Sequence, residues 1–418
     1  MRGELRLAAI GLQIAAAVAN AQTVTASRKL QAASGPIAAA IHSAKPGDRI
    51  VIPRGTYREP TIIIDKPLTI LGEPGAVLDG SNATHILRIE ADDVTVRGLS
   101  FANVRASHVE DRAAIRAGAV KHCVIEDNRI DDAFFGIYLA GTTGCRIARN
   151  VLHARGTTED ASGNGIHLWT ARDVEVTENR IEGHRDGIYL EFTHETRVQR
   201  NVSERNVRYG LHFMYSDDCA YSRNEFRANQ AGVAVMYTKR VVMTGNRFED
   251  NWGPAAYGLL LKEIYDTRLE DNVFTRNTTG LLADGATRLD ARRNLFADNG
   301  WAVKLLASTQ SAELVGNTFV GNTFDVATNS RGNGNVLRGN YWDQYDGYDL
   351  DHDGRGDVPH HPVRLFSLIV DNNEPTVVLL RSPLIALLDR AERILPSLTP
   401  ETLADAAPLM QQPRRPAR

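Results

Sequence analysis

The sequence has no basic stripe, no glycine-rich phosphate loop, only three cysteines, and no apolar run of membrane-spanning length. Each absence removes a class of function. A formal net charge of -3, with Lys and Arg interspersed among Asp and Glu, offers no track for a phosphate backbone, so nucleic acid is disfavoured as a partner. Without a Walker A loop the chain has no cradle for the phosphates of ATP. With 43% apolar and 24% charged residues the composition is that of an ordinary soluble protein.

What is present begins with a leader. Arg2 and Arg6 precede an apolar run from Leu7 to Ala19, and Ala19-Asn20-Ala21 stands before Gln22. The pattern reads as a secretory signal over residues 1–21, and the run is shorter than the roughly 18 apolar residues of a spanning helix. Glu4 is unusual in such a leader and leaves an uncleaved anchor as the alternative. The mature chain is expected to be exported and soluble.

A repeat dominates the rest. Asn followed two residues later by an apolar side chain recurs at 128, 150, 179, 224, 246, 272, 294, 317 and 340, with Asn201 in step but followed by Ser203, and most steps are 22 or 23 residues. A second Asn follows five later at 206, 229, 251, 277, 299 and 322. Each unit also holds a Gly-apolar-x-apolar strand such as "GIYL", "GLHF" or "GVAV". Short strands with polar corners at this period predict an all-β fold, a right-handed parallel β-helix. After each Gly, the columns Ile137, Ile166, Ile188, Leu211, Val233, Leu259, Leu281 and Leu139, Leu168, Leu190, Phe213, Val235, Leu261, Ala283 should face inward. Phe226, Phe248, Phe274, Phe296, Phe319 and Trp342 should stack.

Cys123, Cys145 and Cys219 each sit five before a repeated Asn, where other units have Val174 or Thr196. All three therefore read as small buried core residues, and copper ligation by cysteine is disfavoured. The stretch "SGPIAAAIHSAKPGDRI", with Ser34 and Pro36 as a helix start, predicts a short helix that plugs one end of the solenoid. "SPLIALLDRAERILPS" predicts an amphipathic helix from Ser382 to Pro396, either capping the other end or docking elsewhere. The expected divisions are 1–21 signal, 22–345 β-helix, 346–381 Asp-rich loop and connecting segment, and 382–418 helix and tail.

The outward columns bear on function. Two after each Gly they read Tyr138, His167, Tyr189, His212, Ala234 and Leu260; four after, Ala140, Trp169, Glu191, Met214, Met236, Lys262 and Asp284. Glu191 has no carboxylate neighbour in the middle of this face, which disfavours the acidic pairs of sugar hydrolysis. Trp169 and Tyr189 keep a carbohydrate lyase, hydrolase or epimerase as an alternative function, and a metal-free docking platform is a third reading. Longer connections after Gly98, Asn150 and Asn246 all enter at one corner and should wall one side of this face. Separately, "DLDHDGRGD" places Asp349, Asp351, Asp353, Gly354 and Asp357 at positions 1, 3, 5, 6 and 9 of a calcium loop, with His360 where a bidentate Glu is expected at 12. Calcium is expected there weakly or structurally.

The segment "GDRIVIPRGTYREPTIIIDKPLTILGEPGAVLDGS" resembles the opening of many β-helix proteins that act on carbohydrate. More specific are "RYGLHFMYSDDCAYSRNEFRANQAGVAVMYTKRVVMTGNRFEDNWGPAAYGLLLKE" and "GNYWDQYDGYDLDHDGRGDVPHHPV". With the leader and the repeats, these resemble the NosD family of periplasmic copper-binding proteins across essentially the whole mature chain. The resemblance implies no enzyme activity. It implies a role in maturing the copper-sulfide centre of nitrous-oxide reductase, with the permease and ATPase subunits of an ABC transporter and a lipoprotein copper chaperone. ATP use would then belong to a partner. Copper, held transiently, would be the cargo. His212 and Met214 lie two apart on one strand face, with Phe213 inward between them. Met236 one coil on, Glu191 one coil back and His167 two coils back complete the expected copper-contacting patch, since thioether and imidazole suit copper and Met suits neither calcium nor magnesium. His360, His361 and the edge loops are the fallback ligands.

Overall fold

The computed structural model describes residues 23–25, 35–82, 85–107, 110–329, 334–372, 382, 387–388 and 403–414. The expected signal at 1–21 lies outside them, as does the expected helix Ser382–Pro396 apart from Ser382, Leu387 and Leu388. Among the described residues no helix is long and apolar enough to cross a membrane.

Each coil contributes three short strands to three parallel sheets. The first sheet runs from Thr23–Thr25 to Val336–Arg338 in 14 strands, the second from Gly55–Tyr57 to Tyr341–Trp342 in 13, and the third from Ile62–Ile64 to Phe324–Thr328 in 12. One residue in the left-handed conformation ahead of each ladder Asn turns the chain between the first two sheets, for example Asp127, Arg149 and Glu178. The predicted inward columns are fully buried, Ile137, Leu139, Leu211, Phe213, Val233 and Val235 among them. The ring stack runs from Phe226 to Phe319 at centroid spacings of 4.6 to 5.7 Å and ends on Trp342 at 4.1 Å.

The repeated Asn residues form two buried amide ladders. Asn150 Oδ1 accepts from both the N–H and the Nδ2–H of Asn128, while Asn150 Nδ2 donates to Ile125 O and to Asn179 Oδ1. The amides of this ladder are thereby paired with one another and with the backbone, which is the reason the corner can lie inside. The second ladder links Asn206 to Asn322 in the same way.

Both ends of the solenoid are closed, and the details differ from the expectations. The N-terminal helix α1, Pro36–Ser43, buries Ile37, Ala40 and Ile41. Its free N–H groups are met by the Glu59 carboxylate, which accepts from Ile37 and Ala38, and the N-cap position is Gly35 rather than Ser34. At the other end the segment around Asp405 does the closing. Asp405, 0% exposed, accepts from Gly339 N, Asn340 N, Asn340 Nδ2 and Trp342 Nε1. A carboxylate has no donor to pass on, so it terminates the ladder. Helix α2, Leu365–Asn372, lays Phe366 and Val370 on Phe324 and covers the end of the third sheet's outer face.

The reading of the cysteines is corrected for two of the three. Cys123 and Cys145 lie on adjacent coils of the first sheet and form a disulfide inside the core. Five-before-Asn in consecutive units places them one coil spacing, about 4.8 Å, apart. Cys219 is a buried free thiol whose pKa burial pushes up to about 11, as befits an inert core residue.

Candidate metal site on the third sheet

Because Leu211 and Phe213 fill the core, His212 and Met214 project from the outer face. The ladder register pairs Tyr138 with His167, then Tyr189, His212 and Ala234, and beside it pairs Trp169 with Glu191, then Met214, Met236 and Lys262. The first of these columns is a ring stack, with centroids 4.6, 4.7 and 4.6 Å apart from Tyr138 through His167 and Tyr189 to His212.

Outward does not mean exposed here. His167 and His212 are only 8% and 6% exposed. Each ring is covered by its neighbours in the stack, His167 by Tyr138 and Tyr189 and His212 by Tyr189 and Tyr209, and the inserted loop spanning 154–165 folds against the start of the strands, with Gly163 O accepting from Arg185 N. Glu191, Met214 and Met236 stay half-buried at the rim.

Buried imidazole needs partners, and His212 has them on one side only. Its Nδ1 lies 3.4 Å from Asp186 Oδ2, while its Nε2 is buried without a partner. Asp186 is itself fully buried and gripped by Arg208, Nε to Oδ1 at 2.8 Å and Nη2 to Oδ2 at 2.5 Å. Burial alone would raise the Asp186 pKa, but Arg208 and His212 outweigh it and hold the carboxyl below its ordinary value. An imidazole with one nitrogen facing a carboxylate and the other without a protein partner is the arrangement metal-ligating histidines adopt. Tyr189 O–H points at Met214 Sδ, 3.5 Å away.

The structure thus brings His212, Met214, Met236 and Glu191 to one rim of the face. It does not bring His167 there. The Tyr189 ring stands between the two histidines, and His167 Nδ1 faces Asn164 Nδ2 at 3.3 Å. Burial, then the nearby Arg185, pushes the His167 pKa down to about 3, so it is neutral at any ordinary pH. The fallback His360 is far off at the C-terminal end, its ring against Trp342 and Tyr345, and His361 is exposed beside it. Sequence reasoning missed Asp186 and Arg208. Asp186 lies one coil back from His212, paired with Tyr209, but strict alternation from the inward Ile188 would have turned it into the core, so the repeat carried no signal for it.

In the acidic loop, carboxylate oxygens of Asp349, Asp351 and Asp353 lie within 4.8 Å of one another. Asp349 accepts from Asp353 N and Gly354 N, and Asp357 turns its carboxylate to Leu350 N. On the same rim of the third sheet, Trp169, in the column of Glu191 and Met214, is exposed, and Phe192, Tyr215 and Tyr237, each one residue beyond Glu191, Met214 and Met236, form an exposed stack at 5.1 and 5.2 Å.

Comparison with known proteins joins this geometry to a family. The sequence model described as periplasmic copper-binding protein (NosD) matches residues 153–347, which contain the whole rim. A probable ABC transporter binding protein NosD of Pseudomonas aeruginosa is 31% identical over 84% of this chain and 86% of its own length. The protein of the same name from Stutzerimonas stutzeri is 28% identical over 87% and 86%. Among solved structures, the A-module of a mannuronan C-5 epimerase from Azotobacter vinelandii superposes with a TM-score of 0.63 at 16% identity, covering 73% of this chain and 93% of that one. That likeness shows the parallel β-helix fold alone. With the relatives matched over most of their length, this chain belongs to the NosD family.

Proposed function

We propose that this chain is a periplasmic, signal-exported copper-binding protein that works with an ABC transporter in maturing the copper-sulfide centre of nitrous-oxide reductase. In this reading copper is cargo, received from a lipoprotein chaperone and passed on in company with the permease and ATPase subunits. The family name of its relatives supports copper and the transporter. The observation that carries the reading to particular atoms is the buried, unpartnered Nε2 of His212, whose ring has Asp186 behind it and which stands on the strand face that also bears Met214. His212 would supply a nitrogen and Met214 and Met236 thioether sulfurs, a soft set suited to copper(I), with Glu191 beside them. His167 contributes to the stack that positions the rim.

Copper(I) competition titrations of wild type and of His212→Ala, Met214→Leu and Met236→Leu, singly and together, test this. The expected result is a loss of about 10- to 100-fold in affinity for the single variants, the range typical of damage to a metal site. Unchanged affinity in the triple variant rules the rim out. For the Asp349, Asp351, Asp353 and Asp357 loop, calcium binding is carried as a proposal on the closeness of the first three carboxylates. Calcium added to metal-stripped protein should raise the melting temperature; no change means the loop is a hydrogen-bonded turn. A second reading, action on carbohydrate, draws on the exposed Trp169 and the stack of Phe192, Tyr215 and Tyr237. Product released from uronate polymers by the pure protein would favour it.

A further inference from the structure

We propose that Arg208 sets the tautomer of His212, and through Glu159 makes copper affinity depend on the inserted loop. This rests on His212 being a copper ligand, but the device itself is a matter of where one proton sits.

Two groups compete for His212 Nδ1. Asp186 Oδ2 lies 3.4 Å away and can only accept a hydrogen bond; Arg208 Nη2 lies 3.3 Å away and can only donate one. A neutral imidazole carries a single N–H. When Nδ1 holds the proton and gives it to Asp186, Nε2 is a bare lone pair able to bind a metal. When Nδ1 accepts from Arg208, the proton is on Nε2 and that nitrogen is closed to copper. Arg208 Nη2 and Asp186 Oδ2 thus compete for one ring nitrogen, and the placement of Arg208 decides which of them it serves.

Arg208 is placed to feel the loop. Its Nε and Nη2 are spent on Asp186, and its Nη1 reaches Glu159 Oε2 at 3.8 Å, the only contact of Arg208 with the inserted loop that spans 154–165 among the described ion pairs. The guanidinium also lies over the Tyr209 ring, 4.8 Å from its centroid. Glu159 is half exposed, so a partner that binds the loop can take it away. With Glu159 engaged, Arg208 is drawn toward the loop, Asp186 keeps the Nδ1 proton, and copper binds. With Glu159 withdrawn, Arg208 settles on Nδ1 and copper is released. Arg208 is thus a positioning residue for His212 and Glu159 is its handle.

The test is the nitrogen-15 NMR spectrum of metal-free protein labelled at histidine, read at the His212 Nε2 resonance, for wild type, Glu159→Gln and Arg208→Lys. Glu159→Gln is a surface change that leaves the fold intact. Its spectrum should move toward the protonated Nε2 form, and its copper(I) affinity should fall about tenfold, the lower end of the effect of groups behind a metal ligand. Arg208→Lys, whose single ammonium cannot span Asp186 and Nδ1 together, should move the resonance toward the bare Nε2 form and raise affinity. A His212 resonance identical in all three proteins overturns the switch. So does a shifted resonance with copper affinities equal to a copper-binding wild type. If the resonances shift as expected while wild type binds no copper(I), the tautomer device stands and the copper reading falls.

Discussion

At the scale of single residues, the side chains that matter most are those whose hydrogen-bonding capacity is mismatched to their place. Asp405 stops the amide ladder because it can accept from four donors and pass nothing on. Asp405→Ala leaves those donors buried and unpaired, at a cost of at least about 3 kcal/mol, while Asp405→Asn keeps one accepting oxygen and should lose clearly less. Urea unfolding read alongside amide exchange at 336–342 checks this, because a solenoid frays from its end before it unfolds as a whole. His184 is the opposite mismatch. It occupies the place one coil ahead of Asn206 in the second ladder, is fully buried, and has no partner for either ring nitrogen. Burial, then the nearby His153, pushes its pKa down to about 3, against an ordinary 6.5. The unfolded chain therefore takes up protons below pH 6.5 that the folded chain refuses until about pH 3, and stability must fall as pH falls through that window. At pH 5 the effect of His184 is about 2 kcal/mol. His184→Asn extends the ladder by one coil and should flatten the loss between pH 6.5 and 5 by that amount; an unchanged pH profile of the melting temperature would contradict the ladder argument.

At the scale of elements, the three strands of each coil were legible because the period fixes them: Gly marks the third strand, Asn the corner, and the residues between alternate in and out. The same register set His212, Met214, Met236 and Glu191 in adjoining columns of one face, as the ladder pairings have them, since that needs only the pleat and the coil spacing. It failed where contacts cross columns or loops. That His167 is shut off by the Tyr189 ring, that Asp186 lies behind His212, and that the ring column is buried all depend on side-chain direction and on how the inserted loop folds back, neither of which periodicity carries. The disulfide was within reach, because two cysteines at one position of consecutive coils are held at bonding distance, yet the same register read all three cysteines alike as core. Closing a loop of 22 residues, the bond should stabilise the fold by about 3 kcal/mol. Reduction, or the paired change of Cys123 and Cys145 to Ala, should lower the urea midpoint accordingly, and Cys219→Ala should not substitute for that loss.

At the scale of the whole molecule, the chain is a rod sealed at both ends, with one face differentiated along its length. Helix α2 covers the C-terminal stretch of the third sheet, the inserted loop roofs the histidine column, and the methionine rim is left half open between them. Sealing by Asp405 bears on how the transporter partner is sought. Removing everything after Arg381 would strip the cap as well as the amphipathic segment, so the informative variant deletes only residues 383–396. If that segment docks on the permease, the deletion abolishes copurification with the transporter and lowers the melting temperature only by the loss of the Leu388 contact with the cluster of Phe324, Phe366 and Val370. The central claim, that His212 with Met214 and Met236 holds copper, is tested most directly by X-ray absorption of the copper(I)-loaded protein. The predicted first shell is mixed nitrogen and sulfur, with the sulfur scattering lost in the Met214→Leu, Met236→Leu double variant. A shell of nitrogen and oxygen alone, or sulfur scattering that survives in that variant, would contradict it.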